Sequence, residues 1–235
     1  MVNTIQEYLK TRKPTVEDCA LASVNTADGI RYVMRYESDS FESTKNLITF
    51  FIPDEDTDID DLLRYKQKTD TKLLISVNAY GRGIHFNDIA DVDVVVDCWY
   101  SEAYKVMDFM TNTIRGDGFI GFDFNDLVTI LAHKPKPIVF LQTSKHGDDY
   151  YNLAITEMLD KYNNDVEDKN LTGLLVTITA DLSFEASDLE VISQRVNDFF
   201  AIDASNIFYQ VTFDDSISHS INGKSCEVGF FVVNG

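Results

Sequence analysis

Gly118-Phe119-Ile120-Gly121-Phe122-Asp123-Phe124-Asn125-Asp126-Leu127 is the stretch on which the reading of this chain turns. Upstream of it, Ala103, Val106, Met107, Met110 and Ile114 recur at three- and four-residue spacing, which puts them on one face of a helix. Gly116-Asp117-Gly118 stops that helix, since glycine is a poor helix former that favours its C-terminal end. The loop beyond is apolar but carries two carboxylates three residues apart, Asp123 and Asp126. Leu127 to Ala132 then reads as a short helix, broken by Pro135 and Pro137.

These residues resemble a loop of the FtsZ/tubulin family. There a long core helix leads into a sequence close to Gly-x-Ile-Asn-x-Asp-Phe-x-Asp-Val, the loop that reaches the nucleotide of the next subunit in a filament. Gly118, Ile120, Asp123, Phe124 and Asp126 match it, Leu127 replaces valine, and Gly121 stands where the family has asparagine.

The chain continues the pattern downstream. Ile138–Gln142 reads as a strand, and 148–162 as a helix with Tyr151, Ala154, Met158 and Tyr162 on one face. Leu174–Thr179 is a strand dense in β-branched residues. Ser187-Asp-Leu-Glu190 has capping-box spacing, and Leu189, Ile192, Val196, Phe199 and Phe200 trace the buried face of the helix it starts. Two strands close the chain, Ile207–Phe213 and Cys226–Val233. Leu171–Ala180, the Asp181–Glu190 lead into a helix, and the closing strand each resemble corresponding stretches of the FtsZ C-terminal domain.

The resemblance implies an α/β (α+β) fold: an FtsZ/tubulin C-terminal-like mixed sheet with helices packed on it. A core linking helix over 100–117 joins that domain, 118–235, to a smaller N-terminal α/β region, 1–99, in the position of the GTPase domain. In the N-terminal region, Thr4-Ile-Gln-Glu7 resembles a capping box for a short helix. Strands are expected at Cys19–Val24, Ile30–Tyr36, Leu47–Ile52, Lys72–Val77 and Val92–Val96, with a short amphipathic helix at Ile59, Leu62 and Leu63. Thr69–Asn78 also resembles a family strand.

One family feature is missing from the sequence. FtsZ and tubulin hold GTP in a glycine-rich loop whose bare backbone amides approach the phosphates. This chain has 11 glycines and no two are adjacent; Gly81-Arg82-Gly83 is the nearest approach and reads as a turn. About 100 residues precede the core helix, fewer than the ~150 of a doubly wound nucleotide domain. The expectation is therefore no GTP binding, no cofactor and no enzymatic activity.

Composition narrows the remaining functions. A net charge of −19 repels nucleic acid phosphates and anionic membranes. Cys19, Cys98 and Cys226 are far apart and form no CxxC pair, which fits reduced thiols rather than zinc. No signal peptide or bilayer-length apolar run is present, so a cytoplasmic location is expected.

Two acidic clusters remain. In the family's manner, Asp123 and Asp126 would orient a water toward a neighbour's γ-phosphate; alternatively they cap the helix that follows. Asp54, Asp56 and Asp58, in the run from Asp54 to Asp61, offer a weak hard-cation site that lacks the glycine and terminal glutamate of a calcium loop. His85, His133, His146 and His219 form no motif, no nucleophile signature exists, and Trp99 and Tyr100 read as core packing.

The functional expectation is a non-GTPase, FtsZ/tubulin-like protein of cell division or the cytoskeleton. It would act through Gly118, Ile120, Gly121, Asp123 and Asp126 on a protein partner, an FtsZ-like filament subunit or a second copy, and would regulate or cap filaments. Two alternatives stand beside it: an enzyme or small-ligand or metal binder with an acidic pocket, and a structural protein that assembles without nucleotide.

Overall fold

The computed structural model describes residues 19–26, 29–36, 46–53, 59–80, 92–115, 123–132, 134, 136–200, 202–214, 217 and 225–235. The expected N-terminal helix near Thr4 lies outside them. The chain divides into two compact units, 1–111 and 112–235.

In the first unit, β1 (Cys19–Thr26), β2 (Gly29–Tyr36), β3 (Asn46–Phe51), β4 (Leu73–Tyr80) and β5 (Val94–Trp99) lie in sequence order in one sheet. The first two pairings are antiparallel and the last two parallel. A parallel pair needs a crossover, and α1 (Ile59–Lys68) supplies it between β3 and β4. Phe51, Leu62, Leu74, Val92 and Val95 pack together, while Ile48, Phe50, Ile75, Val77, Val94 and Val96 are buried on the alternate face. Burial on both faces explains why these strands read as unbroken apolar runs. Lys66 near the end of α1 pairs with Asp93 at 2.5 Å, and the same carboxylate accepts the Leu74 N–H at 2.7 Å.

A 3₁₀ turn (Tyr100–Glu102) leads into α2 (Ala103–Arg115). Ala103, Val106, Met107 and Met110 are buried, as the periodicity predicts. Lys105, Phe109, Thr111 and Thr113 are buried as well, so the helix is enclosed on more than the one face that its apolar spacing suggests. Thr111 satisfies its hydroxyl locally, by donating to Met107 O at 2.8 Å. Trp99 is a correction: its side chain is 57% exposed and is not core packing.

The second unit carries α3 (Phe124–Leu131), β6 (Ile138–His146), α4 (Tyr150–Asp165), β7 (Leu171–Ala180), α5 (Ala186–Phe200), β8 (Ile207–Phe213) and β9 (Ser225–Asn234). Its strands lie in the order β6-β9-β7-β8, antiparallel at β6/β9 and β9/β7 and parallel at β7/β8. This is the mixed sheet expected, with β7 in its interior. On one face, Leu141, Phe230 and Val176 form a row, followed by Val228, Ile178 and Val211. Ala154, Ile155 and Met158 of α4 and Ile192 and Val196 of α5 cover those rows.

Two details of α5 differ from the sequence reading. The helix starts two residues early, and Asp188, not Glu190, reaches back to accept the Glu185 N–H at 2.9 Å. Ile192 and Val196 are buried, Leu189 and Phe200 partly so, but Phe199 is 37% exposed and only leans edge-on against Tyr162 and Phe200. Phe200 is the ring that turns inward, toward Tyr162 and Phe230.

Candidate interaction site

Asp123 sits at the N-cap of α3 in extended backbone. Its Oδ1 accepts the N–H groups of Asn125 at 2.7 Å and Asp126 at 3.0 Å. Asp126 answers by accepting the Asp123 N–H through Oδ2 at 3.0 Å. This reciprocal pair is a capping box, with aspartate in place of the usual serine and glutamate. It meets donors that the first helical turn leaves without partners, and it sets negative charge where the helix dipole favours it.

The helix below is anchored by Leu127, Ile130 and Leu131, all buried, and α3 packs against β7. Thr129 donates to Asn125 O on the exposed side. A fixed, buried stripe therefore holds an exposed acidic end. Each carboxylate spends one oxygen on the cap; Asp123 Oδ2 and Asp126 Oδ1 have no hydrogen bond among the described residues. The arrangement can accept hydrogen bonds or face a cation. Gly118, Ile120 and Gly121, the rest of the expected interaction loop, lie outside the described residues.

The other candidate residues are not brought to this point. Asp54, Asp56 and Asp58 lie outside the described residues, and among those described no cluster of three or more histidine, cysteine or carboxylate side chains is placed to hold a metal. Cys98 and Cys226 are buried, free thiols. Burial pushes Cys226 up to about 12, with Asp181 and Glu227 adding to it. Burial likewise raises Cys98, helped by Glu102 and Asp97. Neither is a thiolate at neutral pH, so neither is a nucleophile.

Sequence reading missed two polar constructions in the second unit. Glu157 of α4 pairs with Lys145, accepts from Thr143 at 2.6 Å and lies 3.7 Å from Lys161. Burial works against its charge, but the Lys145 and Thr143 hydrogen bonds and the two ammonium groups outweigh it and hold its pKa below the ordinary value. Asp181, 2% exposed, accepts the N–H groups of Ser183 and Ser225 and so ties the end of β7 to the start of β9. Only the Lys145/Glu157/Lys161 charges left a trace in sequence, through the i,i+4 spacing of Glu157 and Lys161.

No family model matches the chain, and no curated protein matches it in sequence. Its structure is similar to that of a tryptophan-to-tyrosine mutant of FtsZ from M. jannaschii. The TM-score is 0.52 at 14% identity, over 73% of this chain and 59% of that one. The fold is FtsZ/tubulin-like. An empty FtsZ dimer from the same organism is also similar, with a TM-score of 0.48 at 13% identity, over 73% of this chain and 57% of that one. The chain thus spans less than two thirds of the length of these FtsZ structures. The FtsZ-like likeness is one of architecture, and it includes the C-terminal-like mixed sheet with its packed helices. No helix among the described residues is long and apolar enough to cross a membrane.

Proposed function

We propose that the protein is a non-catalytic FtsZ/tubulin-like subunit that works by protein contact, docking the acidic end of α3 onto the nucleotide-bearing face of an FtsZ-like subunit. The observation that carries this reading is the division of labour within the cap. Asp123 and Asp126 hold the helix with one oxygen each and keep the other exposed, so the same pair fixes its own position and faces outward. A filament grows through a heterologous head-to-tail interface, which needs two complementary surfaces on every subunit. These 235 residues contain no glycine-rich phosphate cradle, so the chain offers one of the two surfaces and ends a filament where it binds.

The test adds the protein to a polymerising FtsZ at about a tenth of its concentration, following light scattering and phosphate release. Capping lowers polymer mass and changes GTP turnover. Asp123→Asn with Asp126→Asn removes the charge but keeps side chains able to cap, and it abolishes the effect on turnover. Unchanged polymer mass and turnover, with no complex on a sizing column, contradict the reading.

A further inference from the structure

The helices that cover the second sheet have an outer side that is not wholly polar. Leu153 of α4 is 51% exposed, and Val191 and Phe199 of α5 are each exposed by more than a third. Single exposed apolar side chains are ordinary on a protein surface, but these three share one groove. Contacts across it fix how the two helices lie. The Tyr151 hydroxyl donates to Asp188, Arg195 donates to Asn152 O at 3.1 Å and Thr156 Oγ1 at 2.9 Å, and the Tyr162 and Phe199 rings meet edge-on. Residue numbers rise together on both sides, so the helices run parallel. Leu153 lies between the first two contacts on α4 and Val191 lies between them on α5, which sets the pair level across the groove. Phe199 follows Val191 by about 12 Å along α5.

The charges around these residues say what covers them. Each helix has three carboxylates and a single cation: Glu157, Asp160 and Asp165 with Lys161 on α4, and Asp188, Glu190 and Asp198 with Arg195 on α5. Both cations are spent within the layer, Lys161 on Gln142 O at 2.5 Å and Arg195 on α4. Asp160, Glu190 and Asp198 are exposed and make no ion pair among the described residues. An acidic rim around apolar anchors repels phosphates, anionic headgroups and a second copy with its own net charge of −19. It attracts a basic segment of another protein. A helical surface has no free backbone ladder for a strand to join, so the occupant docks through side chains, as a helix laid in a groove does.

We infer that the groove between α4 and α5 receives an amphipathic helix of a partner protein, apolar along one stripe and carrying lysine or arginine on its flanks. One apolar residue of that helix sits between Leu153 and Val191, and a second, two turns on, reaches Phe199. Asp160, Glu190 and Asp198 select for the basic flanks and speed the encounter. None of these residues belongs to α3, so the inference stands or falls independently of the capping function.

Fluorescence anisotropy on the full chain tests this, with a labelled synthetic peptide that has leucine at every third and fourth position and lysine between. A peptide of the same composition, scrambled so that no leucine stripe forms, separates docking from attraction to an acidic protein. The striped peptide binds at least about tenfold more tightly than the scrambled one. Leu153→Gln with Val191→Gln changes exposed side chains to a neutral, helix-favouring residue, keeps the fold, and weakens the striped peptide about tenfold. Glu190→Gln with Asp198→Asn weakens it severalfold at low salt and leaves binding unchanged at high salt, where surface charge is screened. Equal binding of the two peptides, or binding indifferent to the Leu153/Val191 pair, overturns the inference. Concentration-dependent dimers that the same pair abolishes also overturn it and give the groove to a second copy.

Discussion

The face of the second sheet that carries α4 and α5 is apolar across its central rows, whereas the opposite face changes chemistry half-way along the strands. There, Phe140, Phe231 and Leu175 make an apolar row, with the two rings 4.8 Å apart. The next row is Gln142, Gly229, Thr177 and Gln210, and beyond it come Glu227, Thr179 and Thr212. Thr177, Thr179, Gln210 and Thr212 are as deeply buried as many of the core leucines and valines. Thr177 donates to Gly229 O, and Thr179 and Thr212 share a hydrogen bond at 3.2 Å. Among the described residues, Gln210 Oε1 has no hydrogen-bond partner. Burial alone thus does not say what holds a sheet together: the first face is built for stability, and the second accommodates polar groups that contribute little or cost.

The comparison predicts its largest effect at Phe230, which is fully buried under the helices and touches Phe200. Phe230→Ala should cost about 3–5 kcal/mol, read from the urea midpoint, whereas Phe199→Ala on the outer side of α5 should cost only about 1 kcal/mol. Equal losses would mean that the helix-covered face is not the principal core. Next in size is Gln210→Met on the polar row. Removing an unpartnered buried carbonyl should stabilise the protein by about 1 kcal/mol; a loss of that size would reveal a partner for Oε1 and erase the difference between the faces.

The smallest effect is at the rim, where Glu157 links α4 to β6. Its folded pKa lies below the unfolded one, so its contribution is present above the unfolded value and lost as pH falls through the folded value. Because the group is about a third exposed, the contribution is modest, about 0.5 kcal/mol. Between pH 7 and about pH 3, Glu157→Gln should lose correspondingly less stability than the parent. An identical acid limb in both proteins would remove Glu157 from the account.

Much of the fold was legible because periodicity reports burial directly. Ala103, Val106 and Met110 announced α2, and the β-branched run at 174–179 announced the interior strand. What escaped was decided by pairing. β6 runs on through Thr143, Ser144, Lys145 and His146 because β9 lies alongside to bond them, although of those residues only Thr143 favours a strand. Phe199 and Phe200 are adjacent at the end of α5, and only Phe200 turns inward; sequence spacing could not choose between them. Trp99 reads as core by its size, yet it ends β5 on the exposed side. At the candidate site, the aspartate pair ahead of an apolar run was readable as a cap, and the capping box bears that geometry out. The order of strands has no local signature at all.

The central claim is that this FtsZ-like chain works by contact and not by nucleotide. Titration with a fluorescent GTP analogue at saturating magnesium tests it most directly. The account predicts no saturable signal, because no run of bare backbone amides in these residues could cradle the phosphates. Saturable binding in the micromolar range, displaced by unlabelled GTP, would contradict it.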